Sequence, residues 1–132
     1  MAGESILVVD DNAMNLKVAR VMLHAEGYEV RTAADAAEAL TVLRTFRPRL
    51  ILMDLQMPGM DGYALTRRLK ADPATSDIVI LAVTAYAMKG DEQKAYEAGC
   101  QMYITKPIDT RGLPRMIAQF LADSPGRAED PG

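Results

Sequence analysis

The 132-residue chain has no tryptophan, and aromatics make up only 5% of it, so little is available for a platform that stacks bases or sugars. Its single cysteine, Cys100, excludes an internal disulfide and suits a reducing cytosol. Its single histidine, His24, falls in a helical stretch and reads as a surface residue. No apolar run approaches the length of a bilayer span, and the start MAGESILVVD lacks the basic segment that opens a secretory signal. A G-x-x-x-x-G-K-[ST] loop is missing, which removes the P-loop kinases. Positive charge is not in excess: the net charge of -3 argues against a surface built on nucleic-acid phosphates. These absences leave a soluble, cytoplasmic protein with neither membrane nor direct nucleic-acid contact as the expectation.

What remains is an ordinary globular composition, 49% hydrophobic and 25% charged, of a length that suits one domain. Short apolar segments alternate with helical ones. Residues 5–9 (SILVV) read as a buried strand. Residues 13–26 read as a helix stopped by Gly27, and 28–32 as a second strand. Asp35, with Glu38 three residues on, caps a second helix that Pro48 closes. Residues 50–53 (LILM) form a third strand, 63–70 a helix, 78–83 (IVILAV) a fourth strand, and 89–98 a helix ended by Gly99. A brief fifth strand over 102–104 precedes a last helix, capped by Thr110, whose Leu113, Met116, Ile117, Phe120 and Leu121 recur at helical spacing. Strands that are apolar nearly throughout belong to a parallel sheet covered on both faces. The pattern predicts a flavodoxin-like (βα)5 doubly wound α/β sandwich of strand order 2-1-3-4-5 over residues 1–123. Residues 124–132 (SPGRAEDPG) read as a flexible tail or the start of a linker.

In such a sheet the ligand site lies beyond the carboxyl ends of the strands. Asp10 and Asp11 follow strand one, Asp54 follows strand three, Thr84 strand four, and Lys106, with Pro107, strand five. An aspartate after a strand is often only a turn-former. That reading serves any one of these residues but not their collection at one edge from distant segments. Carboxylates about 4 Å apart repel by about 4 kcal/mol per pair at an effective dielectric near 20, so such a cleft should bind a cation. Hard oxygens without Cys or His point to Mg²⁺, with Mn²⁺ also acceptable. A carboxylate is a competent nucleophile for an aspartyl-phosphate, and a lysine and a hydroxyl suit phosphoryl oxygens.

The set VVDDN, ILMDLQMPGMDG, LAVTAYA and YITKPI resembles the receiver domain of two-component response regulators, over about residues 5–121. In detail AVTAYAMKGDE and GCQMYITKPI are similar to single-domain cell-cycle-type regulators and hybrid-kinase receivers. The resemblance implies Asp54 as phosphoacceptor. It implies Mg²⁺ held by Asp11, Asp54 and the backbone carbonyl of Gln56, with Asp10 acting through a metal-bound water. Thr84, Lys106 and the Ala85 backbone N–H would hold phosphoryl oxygens, and Lys106-Pro107 would be cis. Thr84 and Tyr103 would be the switch pair that remodels the face of the fourth helix, fifth strand and fifth helix. The implied partners are a histidine kinase or histidine phosphotransfer protein and a downstream protein target, the chain itself being a monomer or a phosphorylation-dependent dimer.

Two residues qualify the kinetics. Gln56 and Tyr86 lie two positions beyond Asp54 and Thr84, and neither is an acid that could activate water. Together with Ala85 they should shield the phosphoryl group, giving slow self-dephosphorylation. The first helix is apolar on more than one side, with Met14, Val18, Val21, Met22 and Ala25 on one face and Leu16, Ala19 and Leu23 on another. The resemblance favours docking of a kinase's phosphohistidine helix there. Two rivals fit less well. A haloacid-dehalogenase-type phosphatase needs D-x-D after strand one, where this chain has Asp10-Asp11. A flavodoxin-like electron carrier needs a hydroxyl- and glycine-rich phosphate loop and flavin-stacking aromatics. The expectation is a switch, not a turnover enzyme. The chain could stand alone or belong to a longer one.

Overall fold

The computed structural model describes residues 4–55, 62–84, 89–105 and 111–123. Five strands, β1 (Ser5–Val9), β2 (Glu29–Ala33), β3 (Leu50–Asp54), β4 (Val79–Thr84) and β5 (Met102–Thr105), alternate with five helices. The helices are α1 (Ala13–Ala25), α2 (Ala36–Val42), α3 (Gly62–Ala71), α4 (Asp91–Ala98) and α5 (Gly112–Asp123). All strand pairs are parallel, in the order β2-β1-β3-β4-β5. This is the predicted sandwich.

Alternation along each strand divides the core into two layers. Leu7, Val9, Ile51, Met53, Ile80 and Ala82 face α2, α3 and α4, where they meet Ala36, Ala39, Leu65, Leu69 and Ala95. Ile6, Val8, Leu50, Leu52, Val79 and Leu81 face α1 and α5, against Ala19, Leu23, Leu113 and Ile117. Both faces of β3 and β4 are therefore buried, which explains why these strands are apolar runs and not alternating ones.

The helix signals work as local chemistry. Asp35 accepts from the Glu38 backbone N–H at 2.7 Å, while the Glu38 carboxylate reaches back to the Ala34 N–H, closing a capping box one residue wider than the usual one. This helix ends at Val42, well short of Pro48. The chain passes through successive turns that bring Phe46 into the core, so burial of an aromatic, not the proline, sets the end. Gly99 ends α4 at φ 116°, and a Cβ there would lie 2.6 Å from Lys70 Cγ. Space and backbone angle both demand glycine. The lysine stem so packed carries its ammonium to the carbonyl of Ser76 at 3.2 Å and to that of Ile78. Thr110, the expected cap of α5, lies outside the described residues.

In α1 the face of Ala19 and Leu23 is buried, with Leu16 and Met22 packed beside it, while Met14, Val18 and Val21 are 66%, 45% and 59% exposed. The face of Met14, Val18 and Val21 is thus open to solvent, and Met22, assigned to that face from sequence, packs against the core instead. His24 is exposed, as read from the sequence, and Cys100 is buried.

Candidate functional site

Parallel register brings the strand ends level. Val9 pairs with Met53, so Asp10 stands beside Asp54; Asp54 pairs with Val83, one residue before Thr84; Thr84 pairs with Thr105. Asp10, Asp54 and Thr84 are nearly sealed from water, at 4%, 3% and 1% exposure, whereas Asp11 is open. The Asp10, Asp11 and Asp54 carboxylates offer oxygens that all lie within 4.8 Å of one another. Three negative charges at that separation, two of them buried, need a counter-charge. The donor set is entirely hard oxygen, which matches Mg²⁺ or a similar divalent cation and not a thiolate- or imidazole-seeking metal.

Asp10 and Asp54 are placed by hydrogen bonds and packing at the strand ends. The Asp10 N–H donates to the Ala33 carbonyl at 3.1 Å, extending the β1–β2 ladder by one residue. The Asp10 carboxylate then accepts from α1: its Oδ1 from the Asn12 backbone N–H at 2.9 Å, its Oδ2 from Asn15 Nδ2 at 3.3 Å. Asn12 is the N-cap of α1, its side chain accepting from the Asn15 N–H at 3.0 Å. Asp54 is fixed from below: the Leu55 N–H donates to the Val83 carbonyl at 3.0 Å, and the Gly62 N–H to the Leu55 carbonyl at 3.3 Å. Gly62 packs so tightly that a Cβ would lie 2.6 Å from both the Asp54 carbonyl oxygen and Leu55 Cα. The first residue of α3 therefore rests on the backbone of the candidate phosphoacceptor.

Tyr103 packs at the edge of the α2–α3–α4 layer, its hydroxyl enclosed and without a hydrogen-bond partner among the described residues. Burial, then the nearby Asp91 and Glu92 carboxylates, raise the pKa of that hydroxyl. Beside it the Tyr63 hydroxyl donates to the Asp91 backbone carbonyl at 3.4 Å, and Lys94 Nζ sits 5.1 Å from the Tyr63 ring centre. Burial and the Asp91 charge push the Tyr63 hydroxyl up to about 12.

Of the residues singled out from sequence, Asp10, Asp11 and Asp54 come together, and Thr84 lies on the same edge. Gln56, Ala85, Tyr86, Lys106 and Pro107 lie outside the described residues. Sequence reasoning missed Asn12, Asn15 and Gly62. The available signals were an N-capping Asn directly after the acid pair, with a second amide three residues on, and a glycine opening a helix.

A sequence model of the response regulator receiver domain family matches residues 6–118, and the chain belongs to that family. It is thus a module of two-component signalling. Within the family it is similar to the polar-differentiation response regulator DivK of Brucella anthropi, with 41% identity over 121 residues, 92% of this chain and 98% of that protein. A CheY-like response regulator receiver domain protein from Methanospirillum hungatei superposes with a TM-score of 0.87 at 31% identity, over 93% of this chain and 97% of that one. The receiver domain of a sensor histidine kinase from Pseudomonas aeruginosa, solved with a magnesium ion coordinated in the active site cleft, does so at 0.82 and 36%, over 92% and 99%. No described helix is long and apolar enough to cross a membrane.

Proposed function

We propose that the chain is a phosphorylation-activated switch in which Asp54 accepts a phosphoryl group from a phosphohistidine donor. The observation that carries this reading is the carboxylate trio at the ends of β1 and β3, two of its members buried. An Asp54 carboxylate oxygen attacks phosphorus, and the P–N bond to the donor imidazole breaks. Its electron pair returns to the ring nitrogen, which takes up a proton. The product is an acyl phosphate on Asp54.

Asp11 and Asp54, with the Gln56 carbonyl, would hold Mg²⁺, and Asp10 would act through a bound water; the magnesium reported in the Pseudomonas aeruginosa receiver supports this assignment. When bound, the ion supplies charge neutralisation for the carboxylates and the incoming phosphoryl oxygens. Lys106, Thr84 and the Ala85 N–H contact those oxygens. Thr84 moves toward them, Tyr103 moves into the space it leaves, and the α4–β5–α5 face is remodelled for a downstream protein. This is a shift between two states biased by phosphoryl contacts.

The solvent-exposed stripe of Met14, Val18 and Val21 on α1 supports docking of the donor's helix, from a histidine kinase or phosphotransfer protein, beside the site. The chain works once per phosphoryl group, as a monomer or a phosphorylation-dependent dimer in the cytoplasm. Gln56 and Tyr86 shield the acyl phosphate and make its loss slow, so Tyr86→Ala should shorten its lifetime; an unchanged lifetime rejects the shielding role. Intact mass after incubation with Mg²⁺ and acetyl phosphate tests the whole reading. Wild type should gain one phosphoryl group that alkali removes, and Asp54→Asn should gain none. Equal labelling of the two proteins would reject Asp54 as acceptor.

A further inference from the structure

The Asp10 carboxylate is held by the first turn of α1 through both of its oxygens, one on the Asn12 backbone N–H at 2.9 Å and the other on the Asn15 side-chain amide at 3.3 Å. The Asn15 backbone N–H is in turn committed to Asn12 Oδ1 at 3.0 Å, so the capping bond seats Asn15 with its amide facing back toward β1. We infer that Asn15 is a positioning residue for divalent-cation binding: its amide fixes the rotation of the Asp10 carboxylate.

The inference deepens the proposed function and rests on its assignment of the carboxylate trio as a cation site. Its physical basis is separate. Asp10 is 4% exposed, so water cannot replace a lost donor there without opening the site. A carboxylate acting on a metal is oriented by the groups that hydrogen-bond it, and removal of such a partner typically weakens metal binding about 10- to 100-fold. The Asn15 amide also places a dipole against a cluster of three negative charges, easing their mutual repulsion before a cation arrives. Asn12 acts differently, holding Asp10 with its backbone N–H and seating Asn15 with its side chain.

Calorimetric titration of the metal-free protein with Mg²⁺ alone tests the inference, on wild type, Asn15→Ala and the α2 cap variant Asp35→Ser, with melting in EDTA as the folding control. Alanine is a good helix former, but it leaves the nearly sealed Asp10 carboxylate short of a donor, so Asn15→Ala should fold and melt somewhat below wild type in EDTA; Asn15→Ser, too short to reach Asp10, carries the same prediction. Asn15→Ala should weaken Mg²⁺ binding about tenfold. Its phosphorylation by acetyl phosphate should be slow at low Mg²⁺ and recover at saturating Mg²⁺, while Asp35→Ser, which keeps a capping oxygen at the start of α2, binds as wild type does. Unchanged affinity in Asn15→Ala overturns the inference alone. Tighter binding overturns it too and makes Asn15 a competitor of the cation for Asp10. Failure of wild type itself to bind Mg²⁺ overturns both the inference and the reading beneath it.

Discussion

Replacing Gly62 with alanine should damage stability and phosphorylation together, because one contact serves both. The added Cβ would stand 2.6 Å from the Asp54 carbonyl oxygen and from Leu55 Cα, and 3.1 Å from Leu55 Cδ2. The two backbone contacts are about 0.8 Å short of ordinary van der Waals distance, and neither atom is a flexible chain end. The start of α3 must lift or the end of β3 must sink. Overpacking of this kind costs about 1–3 kcal/mol, of which better helix propensity returns well under 1 kcal/mol at a first helical position. With a urea dependence of about 1–3 kcal/mol per molar for a small domain, the midpoint should fall by roughly 0.5–1 M. One of the displaced atoms, the carbonyl oxygen, belongs to Asp54, the proposed phosphoacceptor, and the other to the residue next to it. A misplacement of about 1 Å can cost 100-fold in rate, so a shift of a few tenths should slow labelling on the order of tenfold at saturating Mg²⁺ and acetyl phosphate. Gly99→Ala is the matched control. It collides with Lys70 and strains a φ of 116°, at the end of α4 away from the site, and should lower the midpoint without slowing the folded protein. A Gly62→Ala protein as stable and as quickly labelled as wild type would refute the reasoning.

Mg²⁺ should stabilise the wild-type protein by about 2.7 kcal/mol at 100 times its dissociation constant, read as a rise in urea midpoint that EDTA reverses, and Asp11→Asn should lose most of it. In alkali the sign follows from Tyr63, whose hydroxyl is raised from 10.0 to about 12 in the fold. The unfolded chain ionises first, so the stabilisation is complete below pH 10 and is lost as pH climbs toward 12. For this partly exposed group it amounts to on the order of 1 kcal/mol, and Tyr63→Phe should flatten that part of the stability profile; an unchanged slope would contradict the assignment. Asp35→Ala removes an N-cap and should cost about 1 kcal/mol in urea melts without altering phosphorylation.

The sheet and its order were legible because the strands carry their burial in their composition. Residues 50–53 and 78–83 have no polar face to hide, and only a sheet covered on both sides has a place for them. The acid trio was legible because parallel register carries chain position directly into spatial position: Asp10 and Asp54 are each the residue at which an apolar run stops. Less was legible where the deciding force acts across the fold. The end of α2 depends on where Phe46 finds its pocket, which no local signal near Pro48 reveals. Which of the two apolar faces of α1 turns inward depends on the rotation of the helix on the sheet, and composition does not choose between Val18 and Ala19. The Asn15–Asp10 contact needs a helix start to bring residues five apart within 3.3 Å, and the Gly62 contact joins the start of one element to the end of another.

The central claim is that Asp54 itself carries the phosphoryl group. Borohydride reduction of the acetyl-phosphate-treated protein converts an aspartyl phosphate to homoserine, and peptide sequencing by mass spectrometry then reads its position. The account predicts homoserine at position 54, dependent on Mg²⁺ and absent from untreated protein. Homoserine at position 10 or 11, or at any other aspartate while Asp54 is recovered intact, would contradict it.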